Sequence, residues 1–224
     1  GAELWFGVLG SGAVMEGDRV RGVIVTTPAG RGVVLANTVI DATGNADIAA
    51  AAGAACVTTD GTDIAIQGTG LPPRNLGATY TNTDFTMSDE TDVVDTTSLF
   101  VYAKHKYANT TFDQGVLIDT RERRRIVGDF TVTILDQVNE RTYPDTVLYA
   151  VTNYDTHGYT TDPYFELEHA TSGKRFSTFL PYRCLLPRAL TGLLVTGLGV
   201  SVHRDAQPLI RMQPDMQNLG YACG

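Results

Sequence analysis

Two short glycine turns, one near each end of the chain, carry the clearest signs of chemistry. The first, Asp41-Ala42-Thr43-Gly44, follows the apolar residues Val39 and Ile40, and the second, Thr196-Gly197, follows the apolar run 193–195. In α/β sheets, ligands bind beyond the carboxyl ends of strands, where glycine lets the backbone approach a dinucleotide closely. A strand that leads straight into a helix needs the same turn for its geometry alone. Both interpretations remain open for these residues.

A helix start downstream of the second turn is suited to binding an anion. Ile210-Arg211-Met212-Gln213-Pro214 predicts this start, because proline is favoured in the first turn of a helix. The first N–H groups of a helix are free and carry partial positive charge, and Arg211 adds a full positive charge. The alternative for Arg211 is a surface or interdomain salt bridge.

Hydrolytic and metal chemistry find little support in the sequence. The chain contains no GxSxG motif, which argues against a serine hydrolase. Its histidines are scattered and do not have the spacing of metal ligands; they are His105, His157, His169 and His203. His157 and His203 lie in loops that contain Gly or Asp, which makes them better candidates for function than the other two.

Composition excludes further classes of function. A formal net charge of −8 argues against nucleic-acid binding, which requires a basic face. No apolar stretch approaches the roughly 20 residues that span a bilayer. Cys56, Cys184 and Cys223 form neither a disulfide framework nor a metal cluster, so we expect three buried structural thiols. Such cysteine usage favours a reducing compartment, the cytoplasm.

The first third of the sequence is predicted to be rich in β-structure. Apolar stretches at residues 4–15, 19–27 and 32–41 are separated by short turn sequences and predict an antiparallel three-stranded meander. The last of them leads into an alanine-rich helix with Asn45 or Asp47 as the capping residue.

The middle of the chain differs in composition, and the end returns to the early pattern. Residues 58–95 are rich in Thr, Asp, Gly, Pro and Asn, which predicts loops and the start of a second domain. Further elements are predicted as helices at 96–108, 132–139 (capped by Thr131) and 213–224, strands at 115–119, 147–153 and 193–199, and a hairpin pairing 165–169 with 175–180. The sequence therefore predicts an α/β domain interrupted by an α+β insert.

Three segments in this order resemble the FAD-dependent oxidoreductases of the glutathione-reductase-like superfamily, specifically the FAD-oxidored type found widely in bacteria. Residues 39–47 are similar to the family's VIDATGDAD turn, and residues 121–130 to its RxSRRIxGEY segment. Residues 181–224 are similar to its IPYRxLLP…NLLVAGR…H…IRxxPxxxxxGxAAG tail. The chain departs from that tail at Leu198, where arginine is common, so a flavin contact from that position is not expected.

The resemblance implies a partial Rossmann-like FAD-binding domain interrupted by a mixed, β-rich substrate domain. Residues 1–57 and 178–224 would belong to the FAD-binding domain, and residues 58–177 to the substrate or cap domain. In Gly10-Ser11-Gly12 the third glycine of GxGxxG is missing, and we interpret these residues as a strand irregularity. We therefore expect a fragment that lacks the N-terminal GxGxxG unit and is inactive alone.

The resemblance also assigns cofactor and substrate residues. The first turn would line the ADP or pyrophosphate side of FAD, through Ala42, Thr43 and Gly44. The second turn and the following helix would approach the isoalloxazine and stabilise the anionic reduced flavin, through Gly197, Arg211, Gln213 and Pro214. The implied reaction is hydride transfer between a small organic substrate and flavin N5.

Catalytic roles are predicted for three residues. Arg124 and Arg125 could clamp a substrate carboxylate, and His203 could act as an acid or base near neutral pH. The alternatives are a salt-bridge cluster at a strand end and a hydrogen-bonded structural histidine. Homo-oligomer formation is left open.

A function of another class competes with this hypothesis. A non-enzymatic, β-rich module could bind carbohydrate or protein through exposed tyrosines, namely Tyr80, Tyr154, Tyr159 and Tyr164. The paired glycine turns, for which a binding module has no use, favour the flavoenzyme.

Overall fold

A computed structural model describes residues 2–59, 92–106, 124–155, 160–167 and 174–224. By its internal contacts the chain divides into two units, the first comprising Gly1–Thr58, Arg124–Tyr154 and Thr171–Gly224, the second Thr59–Arg123 and Asp155–Ala170. Residues 124–154, which we assign to the predicted insert, thus lie with the two ends of the chain. The assignment of FAD-binding and substrate domains stays a prediction.

Strands and helices alternate irregularly along the described residues, as expected for a mixed α/β protein. In chain order they are β1 (Leu9–Glu16), β2 (Arg19–Thr27), β3 (Gly30–Leu35), β4 (Val39–Asp41), α1 (Asp47–Ala51), β5 (Cys56–Thr58), α2 (Val93–Lys106), β6 (Arg124–Ile126), α3 (Ile134–Val138), β7 (Thr146–Asn153), α4 (Tyr164–Leu167), β8 (Arg175–Pro181), β9 (Leu193–Val195) and α5 (Gln213–Cys223). The first unit also contains short 3₁₀ helices at Tyr182–Cys184, Gly197–Gly199 and Arg204–Leu209.

The predicted meander opens the first unit. Strands β1, β2 and β3 pair antiparallel in that order. Gly17 closes the first hairpin at a φ of +62°, which glycine adopts without the steric cost of a Cβ. The pairing of β1 with β2 shifts register between Gly10 and Gly12, which confirms that these glycines mark a strand irregularity.

The third strand of the predicted meander is wrong as a single element, because it forms two strands in two sheets. Strand β3 ends at Leu35, whereas β4 pairs in parallel with β9. Every residue of β3 is exposed, but Val39 and Asp41 of β4 are buried. Apolar composition continues through both strands, so it does not reveal where the chain leaves one sheet for the other.

The hairpin predicted between residues 165–169 and 175–180 is also wrong. Strand β8 pairs with β7, and Tyr164–Leu167 is the helix α4. The carboxylate of Asp162 accepts a hydrogen bond from the N–H of Tyr164 at 2.9 Å, which is typical of a helix start, and Pro163 lies between them. Residues 171–173 of the predicted turn lie outside the described residues.

Helix α3 is shorter than predicted and has a different cap. It begins after Thr133, whose side chain forms a capping box with Asp136. Thr131, the predicted cap, instead has its hydroxyl 2.8 Å from that of the buried Ser201. The two threonines are two residues apart, and the sequence pattern does not distinguish between them.

Asp136 is expected to make the stability of the first unit sensitive to acid. Burial raises the pKa of its carboxyl, but hydrogen bonds from Thr133 and Arg141 outweigh burial and hold the pKa below the usual 3.8. A carboxyl whose pKa is depressed by folding stabilises the fold above its unfolded pKa, and this contribution is lost as the pH falls through the folded pKa. Asp136→Asn should therefore lower the free energy of unfolding by about 1 kcal/mol at about pH 7, and by progressively less as the pH falls through the folded pKa. Urea denaturation over a series of acidic pH values measures the difference, and a loss that stays constant in acid would contradict it.

Two clusters of buried apolar side chains form the core of the first unit. One packs α5 against β7 and β8 and includes Leu148, Leu180 and Leu219. The other packs α1 against β4 and β9 and includes Ile48 and Val195. The parallel strand pair is therefore anchored on one side by α1.

In the second unit, helix α2 begins three residues before the predicted helix at 96–108. The carboxylate of Asp92 accepts hydrogen bonds from the N–H groups of Val94 and Asp95, at 2.7 and 3.4 Å, and so caps an earlier start. The predicted strand at 115–119 lies outside the described residues, as do His157 and His169. None of the helices in the described ranges combines the length and apolar character needed to cross a membrane.

Candidate functional site

The two glycine turns meet at one edge of the parallel strand pair. Ile40 lies opposite Leu194 and Asp41 opposite Val195, so both strands end at the same level. The N–H of Thr196 donates to the carbonyl of Asp41 at 2.9 Å and joins the turns directly. The carboxyl ends of parallel strands are where α/β sheets bind ligands.

The first turn is organised by Asp41, whose carboxylate is 1% exposed. One oxygen accepts hydrogen bonds from the N–H and hydroxyl of Thr43, at 3.0 and 2.7 Å. The other accepts from the N–H groups of Ile48 and Ala49, both at 2.9 Å. The hydroxyl of Thr43 in turn accepts from the N–H of Asp47 at 2.9 Å. Asp41 and Thr43 therefore cap α1, in place of the predicted Asn45 or Asp47.

This capping limits what the first turn can bind. The first N–H groups of α1 already bond to side chains of the chain itself, so the start of α1 does not fit a phosphate group. Ala42 and Thr43 are exposed, and Gly44 is half-buried. The contacts that this turn can offer a ligand are those of its exposed backbone and small side chains.

Three glycines shape the space at this edge. Gly44 and Gly197 have φ angles of +77° and +75°, and a Cβ built on either would have no atom within 4 Å. Gly199 differs, because its Cβ would lie 3.0 Å from the Cβ and N atoms of Ala46. The two turns thus pack closely at Gly199, while the space above Gly44 and Gly197 is open to a ligand.

The start of α5 adjoins the second turn. Helix α5 contacts the 3₁₀ turn Gly197–Gly199, and its N-cap residue, Met212, makes no side-chain hydrogen bond to its first N–H groups. Gln213, the first helical residue as predicted, and Pro214 are both exposed, whereas Arg211 is half-buried. An uncapped helix start of this kind favours negative charge near it.

The two adjacent arginines have different surroundings. The guanidinium of Arg124 donates to the carbonyl of Asn45 at 2.8 Å and forms an ion pair with Asp47. Arg125 is the next residue of β6 and is 5% exposed. Because successive side chains of a strand point to opposite faces, the two side chains leave β6 in opposite directions, and their joint binding of one carboxylate stays a prediction. Arg124 instead links β6 to the first turn.

His203 caps the 3₁₀ helix Arg204–Leu209. Its ring Nδ1 accepts a hydrogen bond from the backbone N–H of Asp205 at 3.3 Å. The backbone N–H of His203 donates to the carbonyl of Val132 at 2.8 Å. With Nδ1 as an acceptor, a neutral imidazole carries its proton on Nε2. The half-buried ring therefore has a structural bond at Nδ1.

Two buried glutamines near the second turn were not singled out by the sequence. Gln207 is 0% exposed, and its Nε2 donates to the carbonyl of Leu198 at 2.9 Å. Gln137 of α3 is 2% exposed, and its Nε2 donates to the carbonyl of Ala206 at 2.9 Å. Neither Oε1 has a hydrogen-bond partner among the described residues, an arrangement that costs about 1–3 kcal/mol per buried group. Glutamine has no periodic pattern that would have predicted these positions.

Thiol and metal chemistry are not supported by the described residues. Burial raises the pKa of Cys184 to about 12, and burial also raises the pKa of Cys56 and Cys223, so the thiols are poor nucleophiles near neutral pH. Cys184 is buried as predicted, whereas Cys56 and Cys223 are half-buried. Within the described ranges, no group of His, Cys, Asp and Glu side chains could hold a metal ion.

The tyrosine surface required by the alternative hypothesis does not form from the described tyrosines. The hydroxyl of Tyr154 donates to the carbonyl of Asp205 at 2.9 Å, and its ring packs against Phe176. Tyr164 packs against Phe165 in the second unit. Tyr80 and Tyr159 lie outside the described residues.

Comparison with known proteins identifies a matching family. The model of a family described as FAD dependent oxidoreductase matches residues 1–114 and 79–224, two overlapping segments that together span the chain. No curated protein and no solved structure matches this chain.

Proposed function

Because this chain belongs to the FAD-dependent oxidoreductase family, we propose that its two glycine turns form part of the FAD site. FAD is the cofactor of the family, and its members act as flavin oxidoreductases. The observation that carries the proposal is the parallel pairing of β4 with β9, which brings both turns to one edge. The open space above Gly44 and Gly197 allows a dinucleotide to lie against the backbone.

The first turn would hold the ADP or pyrophosphate side of FAD through Ala42, Thr43 and Gly44. Since the N–H groups at the start of α1 are bonded to Asp41 and Thr43, this turn would act through shape and backbone contact. Exposed Ala42 presents only a methyl group, so a flat or extended ligand can approach the backbone there. Asp41 would keep the turn in the binding conformation before the ligand arrives.

The second turn and the start of α5 would hold the isoalloxazine side through Gly197, Arg211, Gln213 and Pro214. The uncapped start of α5 and the charge of Arg211 together favour negative charge in this region. When bound, FAD supplies hydride transfer between a small organic substrate and flavin N5. The chain's own share is to orient the bound groups and to stabilise charge.

The geometry favours separate roles for the predicted catalytic residues. Arg125 could offer its charge to a substrate only from the face of β6 opposite to Arg124. His203 could exchange a proton at Nε2 while Nδ1 keeps its bond to the N–H of Asp205. Arg124 would support the first turn through its ion pair with Asp47.

The wider architecture follows the same proposal. Strands β4 and β9 with α1 would belong to a Rossmann-like FAD-binding domain formed by residues 1–57 and 178–224. Residues 58–177 would include a mixed, β-rich substrate domain that selects the small organic substrate.

A visible absorption spectrum tests the proposed function. The full-length protein that carries this chain, purified under native conditions, should show the two absorption bands of a flavin. Denaturation should release free FAD in a stoichiometric amount, which chromatography against an FAD standard identifies. A colourless protein that takes up no added FAD would overturn the assignment of this edge as an FAD site.

A further inference from the structure

One buried side-chain amide donates a hydrogen bond to the second glycine turn. Gln207 lies in the 3₁₀ helix Arg204–Leu209, and its Nε2 donates to the carbonyl of Leu198 at 2.9 Å. Leu198 is the middle residue of the turn Gly197–Gly199 and the immediate neighbour of Gly197. The Leu198 carbonyl lies in the peptide unit that joins Leu198 to Gly199, so the bond restrains the short turn in which Gly197 is the first residue.

The side chain of Gln207 contributes a hydrogen bond that packing alone does not require. The residue is fully buried, and its Oε1 has no hydrogen-bond partner among the described residues. An apolar side chain of similar volume would fill the same space without burying an unpaired oxygen. The feature that only the amide provides is the bond from Nε2 to the turn.

Strand β6 and helix α5 also contact this turn, but the bond from Gln207 is made to the carbonyl of its middle residue. Before it, the N–H of Thr196 donates to the carbonyl of Asp41, and after it Gly199 packs against Ala46. Leu198 carries an apolar side chain, so its own side chain offers no charged or polar anchor. Between these two points, the bond from Gln207 restrains the carbonyl of Leu198.

We propose that Gln207 is a positioning residue for the flavin. Its Nε2 restrains the Leu198 carbonyl and thereby keeps the turn that begins at Gly197 in the position that contacts the isoalloxazine side of FAD. The inference rests on the proposed function, because it assumes that FAD occupies this edge. Gln207 itself is fully buried and acts through the turn.

Replacing the amide by a carboxyl group makes the inference testable through pH. An ionised carboxylate only accepts hydrogen bonds, so in Gln207→Glu it would repel the Leu198 carbonyl, whereas the protonated acid can donate to it. Burial raises the pKa of such a group by up to several units, which moves its titration towards neutral pH. In the full-length protein, Gln207→Glu should bind FAD about tenfold more weakly than the parent at about pH 8.5 and within about twofold of it at about pH 5.5.

Two further variants keep the test decisive if the carboxylate disturbs folding. Gln207→Met removes the donor without adding charge, and it should bind FAD about tenfold more weakly at both pH values. Gln137→Glu is the control, because Gln137 is a similarly buried amide that donates to the carbonyl of Ala206, the neighbour of Gln207, and makes no bond to the turn itself. Its pH-dependent loss of FAD affinity should be several times smaller than that of Gln207→Glu, after the parent's own change is subtracted.

Fluorescence titration with FAD and the reduction potential of the bound flavin provide the measurements. If the parent binds FAD and both Gln207 variants match it at both pH values, the inference is overturned while the proposed function stands. The inference also fails if Gln137→Glu shows the same pH-dependent loss, since that loss would reflect general stability. If the parent itself takes up no FAD, the proposed function fails first.

Discussion

Asp41→Ala is expected to lower the free energy of unfolding of the first unit by about 4 kcal/mol, because two buried N–H groups and two donors of Thr43 lose one shared acceptor. The carboxylate accepts from the N–H and hydroxyl of Thr43 and from the N–H groups of Ile48 and Ala49. Alanine provides no acceptor, and the site is too deeply buried for bulk water to replace the carboxylate fully. The start of α1 and the first glycine turn would lose their organisation together.

Urea denaturation measures the loss as a lower transition midpoint with an unchanged slope. A melting temperature about 10 °C below that of the parent should accompany it in a chain of this size. Asp47→Asn is the matched control, because the Asp47 side chain is 46% exposed and forms an ion pair with Arg124 at the surface. That variant should lose no more than about 1 kcal/mol. Equal losses in the two variants would show that the buried carboxylate has no special role.

The importance of Asp41 was hidden in the sequence by its position at the end of an apolar strand. The residues after Ile40 predict a strand, a glycine turn and a helix, and the structure contains all three. The turn chemistry alone does not show which polar residue caps the helix, because Asn45 and Asp47 are equally good caps by type. The parallel register decides it, since it buries Asp41 beneath the start of α1.

The elements that were predicted correctly from the sequence are those whose own residues, or the residues beside them, indicate a turn or a helix start. The β1–β2 hairpin follows from its turn residues, and the start of α5 follows from Pro214 and the apolar residues after it. The division between β3 and β4 depends on which strand each one pairs with, and pairing over more than 150 residues leaves no local trace. The same reason explains Gln207, whose contribution depends on a carbonyl in another segment of the chain.

The two turns of the candidate site differ in the hydrogen-bond donors and the open space that they offer a ligand. The first is closed and satisfied internally, because Asp41 and Thr43 use the donors that a phosphate would otherwise take. The second has an uncapped helix start beside it and open space above Gly197. The anionic reduced flavin proposed for the second turn therefore has a complementary charge beside it, whereas the first turn would contact the ADP or pyrophosphate side through its exposed backbone.

Gly197→Val is expected to weaken FAD binding to the full-length protein by about 100-fold, or about 3 kcal/mol. The φ of +75° at Gly197 is costly for a β-branched residue, and its side chain would enter the open space that the proposed flavin contact requires.

Gly17→Val separates these two causes. Gly17 has a φ of +62°, with equally open surroundings, in the β1–β2 hairpin, so valine there brings the strain without the obstruction. Both variants should lose about 1–2 kcal/mol of stability in urea denaturation, but only Gly197→Val should lose FAD affinity in fluorescence titration. Unchanged affinity in Gly197→Val, with the parent binding FAD normally, would exclude this turn from the cofactor site, because no ligand lying against the Gly197 backbone could tolerate the added side chain.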